Sequence, residues 1–162
     1  MEEEFYSAAY KGSKQFSQQQ IRTANATGFG AAADDYMEKG IDLNEQLIIN
    51  KPATFFFRMR GDAMLGAGIQ EEDVLTIDRS IKPSNGRIIV AAEDGELLVR
   101  RYERTFNRVI LSPENKKYKP LEIGEFNTYT PWGVVTCVIH VVDPMLQAYI
   151  NNRKKDNKSS NW

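Results

Sequence analysis

Between residues 53 and 142 the chain is built from short apolar or alternating runs: "ATFFFRMR", "DVLTIDRS", "GRIIVAAED", "GELLVRRYERT", "RVILSP" and "GVVTCVIHVV". Turn-forming clusters bound them, namely "GAG", "KPSNG", "EDG", "ENKKYKP" and "TPWG". Short segments rich in β-branched and aromatic residues and punctuated by Gly, Pro, Asn and Asp predict strands rather than helices. Asp94-Gly95, between two such runs, is a tight hairpin signal. Ahead of them, Asp42 caps a short helix in "GIDLNEQLIINKP", with Glu45 placed to close a capping box and Pro52 to end it. Six strands with one short helix describe a mainly β domain whose sheet is curled or partly closed.

At 162 residues there is room for one such domain with modest extensions. Residues 1–34, polar and rich in small side chains, read as a flexible N-terminal arm, and residues 35–142 as the β domain. Residues 143–162 read as a short helix started by Asp143-Pro144, carrying Met145, Leu146, Tyr149 and Ile150, and running into a frayed basic tail with Arg153, Lys154, Lys155 and Lys158. Hydrophobic residues at 41% and charged residues at 27% suit a soluble globular chain. A net charge of −1 supplies no global attraction to nucleic acid or anionic lipid and leaves open only a local basic patch.

No apolar segment approaches the roughly 18 residues of a membrane span, and the acidic start "MEEEFY" lacks the basic-then-apolar order of an export signal, so a cytoplasmic location without membrane contact is expected. The single Cys137 forms no internal disulfide, and the single His140 rules out a multi-histidine zinc site; neither a metal nor a cofactor is expected. Both lie in "GVVTCVIHVV", where Cys137 is expected as a small core hydrophobe and His140 as a packed structural histidine. Lys116, Lys117 and Lys119, with Tyr118 between them, read as a small solvated basic turn.

The segment "RMRGDAML" ends a predicted strand in Gly61-Asp62 and then presents one small residue, Ala63, as a mount for a reactive side chain would. Arg60-Gly61-Asp62 also spells an integrin-type triplet, but that signal needs an exposed extracellular loop, whereas this one lies at the end of a predicted strand in a chain expected to be cytoplasmic. Other stretches fall into order around this one: Gly28-Phe29, "ADDY" with "GIDLNEQLI", "GDAM" with "GAGIQEEDVLTIDRSI", "GRIIVAAEDGELLVRRY" and "WGVVTCVIHVV". Over roughly residues 27–142 this order and spacing resemble the LexA/UmuD family of self-cleaving proteins, and within it the UmuD-like branch.

The resemblance implies a mainly β peptidase-type domain, usually dimeric, with a flexible arm. In such proteins the serine of a Gly-Asp-Ser-Met motif cuts the arm before a glycine, a later lysine removes the serine's proton, and RecA filaments on single-stranded DNA promote the reaction. For the UmuD-like branch it further implies an accessory subunit of a damage-induced, error-prone translesion polymerase. The nucleophile position then falls on Ala63, the general-base position on Arg100 in "ELLVRRYE", and the scissile bond on Thr27-Gly28.

All three positions depart from the cleavage pattern. The Ala63 methyl has neither oxygen nor proton and forms no acyl-enzyme. A lysine works as a base only when burial lowers its pKa from about 10.4 towards neutrality, whereas the guanidinium of Arg100 does not deprotonate in a protein. A β-branched Thr27 fits poorly where the family has alanine or cysteine. Ser80 and Ser84 occupy turn contexts and do not replace the missing nucleophile. Self-cleavage is therefore expected to be absent. The alternative is an active Ser-Lys self-cleaving peptidase trapped by a serine-to-alanine change, against which Arg100 speaks. A LexA-like repressor ranks last, because the arm is too short to be a DNA-binding domain.

Overall fold

The structure, a computed structural model, describes residues 42–124 and 128–159. The arm expected over residues 1–34, with Thr27 and Gly28, lies outside them. The elements are α1 (Leu43–Leu47), a 3-10 turn (Lys51–Ala53), β1 (Thr54–Arg58), a second 3-10 turn (Leu65–Ala67) and β2 (Val74–Asp78), followed by β3 (Ile88–Glu93), β4 (Glu96–Arg104), β5 (Val109–Ser112), β6 (Leu121–Ile123), β7 (Tyr129–Ile139) and α2 (Pro144–Ser159). The strands form one sheet in the order β1-β2-β7-β3-β4-β5-β6, antiparallel throughout. The sheet stays open, with β1 and β6 at its edges.

Local chemistry accounts for most of these elements. Asp42 Oδ1 accepts from the Asn44 amide at 2.8 Å and so starts α1. The β3–β4 hairpin turns on Asp94 and Gly95, with φ of 49° and 81°, the left-handed pair a two-residue hairpin requires. Val90 enters one buried cluster, with Met59, Met64, Ile69, Leu75 and Ile77, while its neighbours Ile89 and Ala91 enter a second with Tyr102, Leu111, Ile123 and Val134. Successive residues of β3 thus bury opposite sides, which is why "GRIIVAAED" reads as a continuous apolar run instead of alternating.

Four readings are corrected. First, "TPWG" does not end a turn before the last strand: β7 runs through it from Tyr129. Gly133 pairs with Val90 and Pro131 with Ala91, leaving Trp132 as a bulge. Proline is tolerated there because β2 pairs with β7 only from Val134 onward, so the Pro131 nitrogen has no ladder partner to lose on that side. A Cβ on Gly133 would stand 2.6 Å from Ile77 Cγ2. Second, β6, "LEI", is three residues long and carries no readable period.

Third, His140 is not packed inside a strand. β7 stops at Ile139, and the His140 side chain is 42% exposed while its Nδ1 lies 2.5 Å from Oδ1 of the buried Asp73. Cys137 is half-buried in β7. Fourth, the short C-terminal helix and frayed tail are a single helix through Ser159. Asp143 caps it by accepting from the amides of Met145 and Leu146 at 3.1 and 3.3 Å. Lys154 Nζ then reaches Glu72 Oε2 at 3.2 Å, a tertiary ion pair that local sequence does not announce.

Candidate active site

The mount begins where β1 ends. Met59, 2% exposed, exchanges main-chain hydrogen bonds with the 72–73 turn, its amide donating to Asp73 O and its carbonyl accepting from the Glu72 amide. Gly61 then turns the chain at φ 80°, a conformation glycine adopts without a Cβ penalty. Asp62 and Ala63 follow, and Met64, with no exposed surface, plugs the turn into the first core cluster. Ala63 is itself buried, at 6% exposure.

A second wall closes on this turn from residues 114–118. The Glu114 amide donates to Ala63 O at 2.9 Å, and the Gly66 amide donates to Glu114 O at 2.7 Å. Asn115 Nδ2 donates to Asp62 O at 2.8 Å, Tyr118 Oη to Asp62 Oδ1 at 2.6 Å, and Lys117 Nζ lies 3.0 Å from Asp62 Oδ2. A Cβ on Gly66 would meet Glu114 O at 2.7 Å, so the close approach of the two main chains depends on glycine. Lys117 keeps most of its solvent exposure, yet the turn read as merely solvated is bonded to the mount through Asp62. Asn115, Lys117 and Tyr118 are the site residues that sequence reasoning missed. The signal present was the tyrosine interleaved among lysines, which names no partner on its own.

Arg100 comes from β4 and reaches the same wall. Its guanidinium carbon lies 5.9 Å from the centre of the Tyr118 ring, and Nη1 donates to Val99 O at 2.7 Å. Burial pulls the guanidinium pKa down, opposed by Tyr118 and Glu93. Ala63 and Arg100, far apart in sequence, are linked through Asp62 and Tyr118. Ser80 is bound up locally, its hydroxyl and amide both directed at Asp78 Oδ1 at 2.5 and 2.7 Å. In the Arg60-Gly61-Asp62 triplet, Arg60 pairs with Glu72 at 2.5 Å and Asp62 with Tyr118 and Lys117, so both charged side chains are engaged inside the molecule.

The electrostatics of Asp62 give a directional expectation. The Tyr118 hydroxyl first, and the Lys117 ammonium second, hold its carboxyl below the usual 3.8, while the same contacts raise Lys117 and Tyr118. A carboxylate whose folded pKa is depressed contributes stability that is complete above its unfolded value and is lost as pH falls through the folded one. The 114–118 wall should therefore stay closed through mildly acidic pH and loosen only below about 3.8. An NMR titration of the Asp62 carboxyl in the full chain checks this, and a midpoint at or above the ordinary value would contradict it. In Asp62→Asn the acid-induced loosening should disappear.

What this geometry can do is hold a turn rigidly against a tyrosine, a lysine and a half-buried guanidinium. At position 63 it offers only a methyl group, without a lone pair for attack. Residues 19–136 match the Peptidase S24-like family. The chain belongs to that family. Its sequence is 40% identical over 118 residues to Protein ImpA of Salmonella typhimurium, covering 70% of this chain and 77% of that protein. It is 39% identical over 113 residues to Protein SamA of Salmonella typhimurium strain LT2, covering 70% and 78%. It is also 33% identical over 102 residues to the LexA repressor of Shewanella piezotolerans, covering 63% of this chain and 49% of the repressor. The LexA/UmuD-family resemblance carried by "GDAM", "GRIIVAAEDGELLVRRY" and "WGVVTCVIHVV" is thereby borne out, as is the mainly β domain. In this S24-like chain Gly61, Asp62 and the buried Met64 surround Ala63 at the turn after β1.

Proposed function

We propose that this chain is a UmuD-like accessory subunit of SOS-induced, error-prone DNA synthesis that does not cut itself. It acts as a cytoplasmic homodimer bound to the catalytic subunit of a translesion polymerase, and RecA filaments on single-stranded DNA set the context in which it works. The observation that carries this reading is the turn Gly61-Asp62-Ala63-Met64, in an S24-like chain, bearing a buried alanine at 63, with arginine at 100 beside Tyr118. Likeness to ImpA and SamA over most of their length supports the UmuD-like branch over a LexA-like repressor, whose length the chain spans only by about half.

The active-peptidase alternative keeps one point in its favour, since nothing in the mount except residue 63 needs changing to carry a serine. Arg100 opposes it. The accessory-subunit reading is tested by mixing the purified full chain with the translesion polymerase subunit of its own genome and measuring complex mass by size exclusion with light scattering. Co-elution with two copies of this chain is expected. A polymerase that elutes alone at every mixing ratio overturns it.

A further inference from the structure

The loop 82–87 and the β4–β5 hairpin enclose an open pocket of about 420 Å³, its walls including Ser84, Asn85, Tyr102, Arg104, Thr105 and Phe106. Of the positions weighed above for cleavage only Ser84 lines it, while Ala63 and Arg100 do not. Its main chain is already committed. The Gly86 amide donates to Tyr102 O and the Tyr102 amide to Arg87 O at 2.9 and 2.8 Å. Asn85 answers both main-chain groups of Arg104, and the Thr105 amide donates to Arg108 O. β5 is paired on both sides, to β4 and to β6. A peptide adding itself as a further strand has no free ladder here, so recognition falls to side chains.

Two side chains are available for it. Phe106, at the hairpin tip, is fully exposed at 104%. Arg104, also exposed, makes no ion pair among the described residues, whereas Arg108 is matched by Glu122 at 2.7 Å and Arg101 by Glu114. Tyr102 and Arg104 share one side of β4, and Glu103 between them points to the other. Lys82 and Arg87 are exposed on the facing loop. The neighbouring Tyr129 phenol is pushed up to about 12 by burial and by Tyr102, so it stays neutral near pH 7 and does not itself offset the Arg104 charge. An exposed aromatic face beside a guanidinium without an ion pair among the described residues, flanked by further cations, matches what a stacked base with its phosphate requires.

We propose that this pocket binds single-stranded nucleic acid directly, with one base stacked on Phe106 and its phosphate held by Arg104. Such binding is local and salt-sensitive, because the whole chain, at −1, exerts no long-range attraction. It adds to the accessory-subunit reading without depending on it, and polymerase co-elution could fail while this contact stands.

The test uses the full chain and a fluorescently labelled single-stranded oligothymidylate at low salt, read by anisotropy. Saturable binding is expected, weakening as salt rises, and about five-fold or more weaker in Phe106→Ala and in Arg104→Gln. Phe106→Trp should retain it, and Lys155→Gln, on the distant exposed helix, should leave it unchanged. Both altered pocket side chains are exposed, so far-ultraviolet circular dichroism should match the parent. Absence of saturable binding overturns the proposal, as does binding indifferent to both pocket substitutions. An oligoglutamate peptide that displaces the labelled strand more effectively than unlabelled oligothymidylate also overturns it and reassigns the pocket to acidic peptides.

Discussion

Held with RecA, ATP and single-stranded DNA, or at alkaline pH, the full chain stays intact between Thr27 and Gly28, as read by intact mass. Ala63→Ser alone is expected to leave it uncut, because the residue at the expected base position, Arg100, carries a guanidinium that accepts no proton. Combining Ala63→Ser with Arg100→Lys should produce a cut before Gly28. The burial that pulls the Arg100 pKa down would act on a lysine in the same direction, towards a usable base. General-base assistance of this kind is worth about 10²–10⁴-fold, so the double variant should exceed the serine variant by that order. Cleavage stays slower than in a chain with alanine before the glycine, because Thr27 is β-branched. A clean cut in the unaltered chain would refute the inactive reading. Efficient cutting by Ala63→Ser with Arg100 retained would refute the argument from the guanidinium.

The second large effect concerns the mount itself. Met64 has no exposed surface and joins the turn after Asp62 to Met59, Ile69, Leu75 and Ile77. Met64→Ala should cost about 2–5 kcal/mol, the sum of lost transfer energy and the cavity left behind. In urea unfolding this appears as a lower midpoint at nearly unchanged slope. A loss under about 1 kcal/mol would mean that the core collapses onto the gap, and that Met64 does not anchor the turn. Because Ala63 and Asp62 immediately precede it, the same variant should also weaken the 114–118 wall, visible as faster amide exchange at Glu114 and Gly66.

How much could be read in advance varies with the range of the interaction. The six longer strands, the Asp94-Gly95 turn and the Asp42 cap were all legible, because each depends on residues adjacent in the chain. Trp132 shows the opposite case. Its bulge allows a strand to pass through Pro131 and Gly133, whose local signals spell a turn, because β2 leaves that stretch of β7 unpaired while β3 pairs it. His140 was misplaced for a related reason: a β-branched run predicts burial, but the strand ends one residue earlier and the part-exposed ring pairs with the buried Asp73. Lys154 extends α2 through an ion pair to Glu72, 82 positions away, which no local period encodes.

The motif order alone determined the family and the mainly β class, and it pointed to Ala63 and Arg100, whose methyl and guanidinium lack an oxygen for attack and a site to accept a proton wherever they are placed. Only the tertiary structure decided what occupies the neighbourhood of those positions. Asp62 is held by Tyr118 and Lys117 from a loop more than fifty residues away, and Arg100 lies over the same tyrosine. Side-chain identity is a local property of the chain, whereas partnership across the sheet exists only once the strands are paired in register.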